Sequence, residues 1–176
     1  SIVARKPAGL SHLEAAAIAL TGLTAKISIE DTIELQSGET ILIQGGAGGV
    51  ASMSIQMAKH IGAKVITTAS PSNHEYLRGL GADEIIDYNT VDFTTLVSGI
   101  DAVFETAGED VAQRSFQVLR PGGRIAFIAS GATAPPSPRD DVASLPPAVG
   151  RDRPHLERVL DILARRAIKV QVTTVY

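Results

Sequence analysis

The chain has 176 residues, 44% of them hydrophobic, and contains neither Cys nor Trp; such a length carries about one domain of roughly 150 residues. Lacking cysteine, it has no disulfide scaffold, no thiol nucleophile and no Cys-based zinc site. Sixteen Lys and Arg against nineteen Asp and Glu leave a net charge of −3, which gives no long-range attraction for nucleic acid or an anionic membrane. No stretch approaches the ~18 apolar residues of a membrane span, and the expected compartment is the cytoplasm.

The first element announces itself at Ser11-His12-Leu13-Glu14, a hydroxyl followed three residues later by a carboxylate, the form of a capping box. Ala15 to Leu20 continues as an all-apolar helix, expected to be buried. Thr40 to Gln44 is a short apolar run of the kind that forms a strand covered on both faces. After five glycine-rich residues, Val50, Met53, Ser54, Met57, Ala58 and Ile61 recur at helical spacing, with Gly62 as a stop. Lys64 to Ala69 reads as a second strand, Ser72 to Glu75 as another capping box, and Glu84 to Tyr88 as a third strand.

The alternation continues with Asp101 to Thr106 as strand, Val111 to Leu119 as helix, Pro121-Gly122-Gly123 as turn and Arg124 to Ala129 as strand. Six of the nine prolines fall between Pro135 and Pro154, marking an irregular connection. Within it, Val142 to Val149 has room for a sixth strand, which Pro146 and Pro147 confine to an edge. A helix capped by Asp152, with Pro154 in its first turn, and an alternating strand from Ile168 to Thr173 close the pattern. Strand and helix alternating at these lengths imply right-handed crossovers and an α/β, doubly wound parallel sheet, the Rossmann arrangement with strand order 3-2-1-4-5-6.

The chemistry concentrates at Gly45-Gly46-Ala47-Gly48-Gly49-Val50-Ala51, between a strand and a helix. Gly46, Gly48 and Ala51 match the dinucleotide fingerprint: a tight turn, a close approach to pyrophosphate, and a small residue where helix meets strand. The helix N-terminus then offers free N–H groups and a positive dipole end to phosphates. No Gly-Lys-Ser/Thr follows, which disfavours a nucleoside-triphosphate loop.

An NAD site commonly has an acid about 20 residues beyond the glycines to bind the ribose 2′-hydroxyl. Residues 40 to 74 contain no Asp or Glu, and the second strand ends in Ala69-Ser70-Pro71-Ser72-Asn73-His74. Ser70, Ser72 and Asn73 can donate hydrogen bonds to a 2′-phosphate and a protonated His74 would add charge, so NADP(H) is the expected cofactor. Without Lys or Arg in this loop, the preference over NAD(H) is expected to be partial. Methyl transfer is disfavoured by the same missing acid.

Several segments in series resemble the medium-chain dehydrogenase/reductase superfamily in its zinc-independent, quinone-oxidoreductase-like branch. They are Gly22-Leu23-Thr24-Ala25, Leu35 to Glu39, the glycine loop with Val50, Leu80 to Asp83 with Asp87-Tyr88, and Leu119 to Arg124. Together they cover most of residues 3 to 131. The resemblance implies Ala47, Gly48, Gly49 and Val50 at a pyrophosphate, Ser70 and Asn73 near a 2′-phosphate, and Tyr88 beside the adenosine. It implies Thr24, Thr106, Ala129 and Ser130 at the nicotinamide end. Relatives often carry Lys where Asn73 or its neighbours stand, a departure that weakens the charge at this site.

Zinc-dependent relatives place a Cys or acidic ligand just before Thr21-Gly22, where this chain has only apolar side chains, so no metal site is expected. His12, His60 and His155 are expected to be scattered at the surface, and Glu105 and Asp110 to be solvated, leaving no catalytic acid. The resemblance divides the chain into 1–10 as the end of a preceding catalytic region, 11–167 as the cofactor domain, and 168–176 as a returning strand. The chain would then be the cofactor half of a longer protein, inactive alone, that delivers hydride to a small-molecule electron acceptor such as an enone or a quinone. A non-catalytic dinucleotide sensor and an assembly module joined through the edge strand near Val142 to Leu145 are the alternatives, and a homodimer through an edge strand is a further expectation.

Overall fold

The structure, a computed structural model, describes residues 3–128, 134–148, 152–165 and 168–170. Helix α1 (His12–Lys26) opens on the expected capping box: the Glu14 N–H donates to the Ser11 hydroxyl, and the Glu14 carboxylate accepts the Ser11 N–H at 2.8 Å. It runs into a π-helical turn, Ile27–Thr32. There follow β1 (Thr40–Ile43), α2 (Gly49–Ile61), β2 (Lys64–Thr68), α3 (His74–Gly79) and β3 (Glu84–Ile86). The second half comprises β4 (Ile100–Glu105), α4 (Glu109–Ser115), β5 (Leu119–Phe127), β6 (Ala143–Leu145) and α5 (Arg153–Ala164).

All six strands are parallel, in the order β3-β2-β1-β4-β5-β6 that the alternation of elements predicts. Because side chains alternate across a strand, each central strand feeds two cores. Ile41 and Ile43 of β1, Ala102 and Phe104 of β4 and Ala126 of β5 face α1, α2 and α5, while Leu42, Val103, Ile125 and Phe127 meet Phe93 and Phe116 on the other side.

Four local expectations change. Of the apolar stretch Ala15 to Leu20 only Ile18 is buried, and Leu20 is 67% exposed. A helix resting on a neighbour buries one stripe, here Ile18, Gly22 and Ala25, and leaves the opposite side bare however apolar it is. Ser72 does not cap α3; a single 3₁₀ turn over Pro71–Asn73 leads into the helix and no side chain caps it. Pro121-Gly122-Gly123 is a bulge within β5 rather than a turn before it. Leu119 pairs with Ile100 and Arg124 with Ala102, and Gly122 takes φ 75°. Helix α4 ends at Ser115 and a 3₁₀ turn over Phe116–Val118 completes the stretch.

Strand β6 occupies the edge, directly before Pro146 and Pro147, where missing N–H groups cost no ladder bond. Of the expected final strand, residues 168–170 have no regular structure and 171–173 lie outside the described residues. Lys169 is nevertheless held: its N–H donates to the Gln56 amide oxygen at 2.7 Å and its carbonyl accepts from Gln56 Nε2 at 3.0 Å.

Candidate dinucleotide site

The site lies at the carboxyl ends of β1, β2 and β4, where strand order reverses on either side of β1, the place at which open α/β sheets form crevices. The chain leaves β1 through Gln44 and turns at Gly45, whose φ of 66° is left-handed. The tight turn therefore belongs to Gly45, one residue before the first fingerprint glycine. Gly46 answers a different demand: a Cβ there would stand 2.2 Å from Thr67 Oγ1, so only glycine lets the loop lie against β2. Its N–H donates to the Thr68 carbonyl at 3.0 Å.

Gly48 is the N-cap of α2 and supplies no side-chain cap. The first helical bond runs from the Ser52 N–H to the Gly48 carbonyl at 2.8 Å, so the N–H groups of Gly49, Val50 and Ala51 precede it. Ala51 is buried, as helix-to-strand contact requires. Uncapped N–H groups on a 13-residue helix, next to a glycine with no side chain in the way, fit an anionic diphosphate.

Beside the loop opens a cleft of about 550 Å³ lined among others by Thr21, Ala47, Gly49, Ser52, Asn73 and Tyr76. It brings together three of the residues expected at the cofactor: Ala47, Gly49 and Asn73. Ser70 joins them through Asn73, whose Nδ2 donates to the Ser70 hydroxyl at 3.0 Å, and Ser72 Oγ lies 3.2 Å from Ser70 Oγ and also lines the cleft. The His74 ring has its Nε2 3.2 Å from the Ala69 carbonyl.

Thr106 touches the glycine loop from β4: its hydroxyl donates to the Gln44 carbonyl at 2.7 Å, and a Cβ at Gly45 would lie 3.1 Å from it. Val50 is half-buried against the core. Thr24 spends its hydroxyl on the Leu20 carbonyl within α1, and Tyr88 stands 58% exposed beyond the end of β3; neither lines the cleft. Ala129 and Ser130 lie outside the described residues.

Glu105 departs from expectation. It is fully buried, and its carboxylate accepts the Ala107 N–H at 2.6 Å and the Gly108 N–H at 2.8 Å. Burial pushes its carboxyl above the usual range, against the lowering by these two N–H groups. The last residue of β4 points inward by strand alternation, and the turn at Thr106 to Gly108 folds back over it. Asp110, by contrast, pairs with Arg114 on the surface at 3.2 Å.

The glycine run and the serine loop are legible as motifs, whereas Gln44, Thr68, Ser115, Thr21 and Tyr76 belong to no motif. One signal was present for Gln44, an amide ending a run otherwise destined for a dry sheet, since a buried amide needs partners. His155 is half-buried between Asp152 and Asp31 rather than free at the surface. Among the described residues no three His, Asp or Glu side chains form a group that could hold a metal ion, and no helix is long and apolar enough to cross a membrane.

Residues 49–151 match the family described as zinc-binding dehydrogenase. The chain is 39% identical over 158 residues to a 2-methylene-furan-3-one reductase of Solanum lycopersicum, covering 89% of this chain and 40% of that one. It superposes on a quinone oxidoreductase of Pseudomonas syringae pv. Tomato DC3000 with a TM-score of 0.85 at 29% identity, over 96% of this chain and 58% of the other. A mycobacterial protein solved in complex with NADPH gives a TM-score of 0.84 at 27% identity, over 96% and 58%. The chain spans about 40% of the length of the 2-methylene-furan-3-one reductase and of a second curated relative, an NADPH-dependent alkenal/one oxidoreductase of Arabidopsis thaliana. From its glycine loop, its strand order and these likenesses, the chain belongs to the zinc-binding dehydrogenase family, in the quinone-oxidoreductase-like branch of the medium-chain dehydrogenase/reductase superfamily.

Proposed function

We propose that this chain is the NADP(H)-binding part of a reductase acting on electron-poor acceptors, an enone or a quinone. The observation that carries the reading is the uncapped N-terminus of α2 behind Gly48, opening beside a cleft whose far wall is the acid-free loop Ser70 to Asn73. A carboxylate in that loop would repel a 2′-phosphate, and hydroxyl and amide groups can instead donate to it. The relatives named for enone and quinone reduction, and the neighbour solved with NADPH, support the same reading.

When bound, NADPH supplies a hydride from its nicotinamide ring. The chain's own work is orientation. The Gly49, Val50 and Ala51 N–H groups hold the diphosphate, Ser70 and Asn73 the 2′-phosphate, and Thr106 borders the nicotinamide end. The zinc of the family's description finds no fitting donor set, since α1 is apolar from Ala15 to Leu20 and the described residues assemble no metal group. We assign this chain to the zinc-independent members and derive no step through a metal.

Titration with NADPH, followed by calorimetry or by nicotinamide fluorescence, tests the reading. Saturable binding at one site per chain is expected, and its absence would exclude the dinucleotide reading. NADPH oxidation by the full-length protein with an enone or a quinone then separates a reductase from a sensor that binds the same nucleotide without turning it over.

A further inference from the structure

Gln44 has no place in the dinucleotide fingerprint, yet it sits where four elements meet. Its side chain is 1% exposed, and both of its polar atoms are engaged. Oε1 accepts the Thr68 hydroxyl proton at 2.7 Å, and Nε2 donates to the Ser115 hydroxyl at 3.2 Å. Thr68 Oγ1 in turn accepts the Gly45 N–H at 3.0 Å, and the Ser115 hydroxyl donates to the Val111 carbonyl at 2.8 Å. The main chain of the same residue completes the junction: its N–H donates to the Phe104 carbonyl at 3.0 Å and its carbonyl accepts from Thr106 Oγ1.

The side-chain amide thus ties together the end of β2, through Thr68 the glycine turn after β1, and the helix α4, while the main chain of the same residue holds the end of β4. These are the pieces that must keep a fixed spacing if a long ligand is to be gripped at its diphosphate and at its ring simultaneously. Gly45 is the weak point of that spacing, because a left-handed residue without a side chain has little to hold it except its hydrogen bonds. The bond from its N–H reaches the rest of the sheet only through Thr68, and Thr68 donates its own proton to Gln44. Low surrounding dielectric strengthens such a chain and makes any unpaired member costly.

We infer that Gln44 is a positioning residue for the dinucleotide, setting the glycine loop and the Thr106 turn at the separation that whole-cofactor binding requires. The inference rests on the dinucleotide reading given above. It predicts an effect that depends on ligand length. The adenosine end is held by the Ser70–Asn73 pair, which closes within its own loop, and it tolerates loss of Gln44. A ligand spanning both ends does not.

The test compares two ligands, NADPH and adenosine 2′,5′-bisphosphate, by calorimetry on wild type, Gln44→Met and Ser115→Ala. Methionine keeps the volume of Gln44 and removes both side-chain hydrogen bonds, and Ser115→Ala breaks the link to α4 together with the hydroxyl's own bond to the Val111 carbonyl. Loss of one or two buried hydrogen bonds should weaken NADPH about tenfold in Gln44→Met and about threefold in Ser115→Ala, with the bisphosphate within about twofold of wild type in both. Should Gln44→Met not fold, as read by circular dichroism, Ser115→Ala carries the comparison. NADPH affinity unchanged in the folded variants would overturn the inference, and so would equal losses for both ligands, which would mark a merely structural role. No NADPH binding by wild type would instead remove the dinucleotide reading itself.

Discussion

Gly46 and Gly48 look alike in the fingerprint, but the space around them gives them separate tasks. A methyl at Gly46 must displace Thr67, a fully buried residue whose hydroxyl donates to the Ile43 carbonyl at 2.6 Å. Gly46→Ala should cost about 1 to 3 kcal/mol in urea denaturation, the range for overpacking a closed site. At Gly48 the backbone has φ −67°, which any residue adopts, and a Cβ would approach only the Gly45 carbonyl, at 3.3 Å. Gly48→Val is expected to leave the melting temperature close to wild type and to abolish NADPH binding; retained binding would show that the diphosphate sits elsewhere. Glu105 gives a third residue-scale prediction. Its carboxyl is pushed up by burial, so the folded chain binds a proton more tightly than the unfolded chain. Stability then falls as pH rises from the ordinary carboxylate value through the raised one. Glu105→Gln keeps an acceptor for Ala107 and Gly108 and removes that titration. The stability of the variant relative to wild type should climb with pH across this window and be flat outside it; parallel curves would contradict the assignment.

Among elements, β5 shows how a packed sheet enlists one charged residue. Arg124 follows the bulge, is 19% exposed along its side chain, and meets the Glu39 carboxylate, 18% exposed, through two hydrogen bonds, at 3.0 and 2.6 Å. Its Nε also donates to the Ile33 carbonyl, just before Glu34, whose φ of 53° is left-handed without being glycine. The Arg124 contact holds the Glu39 carboxyl below its usual range, so its contribution is complete at neutral pH and fades as pH falls through the lowered value. Glu39→Gln should cost about 1 to 3 kcal/mol at neutral pH and progressively less in acid, by chemical denaturation. The same strand marks what could be read in advance. Apolar runs bounded by glycine located β1, β2 and β4, because a strand covered on both faces admits little else. The bulge at Pro121 to Gly123 was invisible as such, since a turn and a looped-out strand use the same residues and only the partner strand distinguishes them. The exposed side of α1 is hidden from the sequence for a related reason: composition says that a side chain is apolar and cannot say whether a neighbour arrives to cover it.

For the whole molecule, the order of strands was derivable because crossover handedness and alternating elements leave few topologies. The cleft was only half derivable. Ala47, Gly49 and Asn73 carry local motifs, while Thr21, Ser52 and Tyr76 reach it from three different helices and share no pattern in the chain. On the dinucleotide reading, cofactor choice belongs to this assembled cleft, and Ser70→Asp probes it. The new carboxylate faces Asn73 and repels a 2′-phosphate, so the preference should move about tenfold from NADPH toward NADH, by competitive titration. Unchanged relative affinity would mean that this loop does not discriminate the two cofactors. Finally, Gly22 joins distant parts of the described chain: a Cβ there would lie 2.8 Å from Val159 Cγ1, so α5 rests directly on α1, and the preceding residue, Thr21, has its Cγ2 3.2 Å from where a Cβ of Gly49 would be. The last helix thus backs the first, and the first backs the glycine loop. The latch closes between residues far apart in sequence, a contact costly in loop-closure entropy, and on the dinucleotide reading it would make nucleotide affinity a reporter of whether α5 has docked.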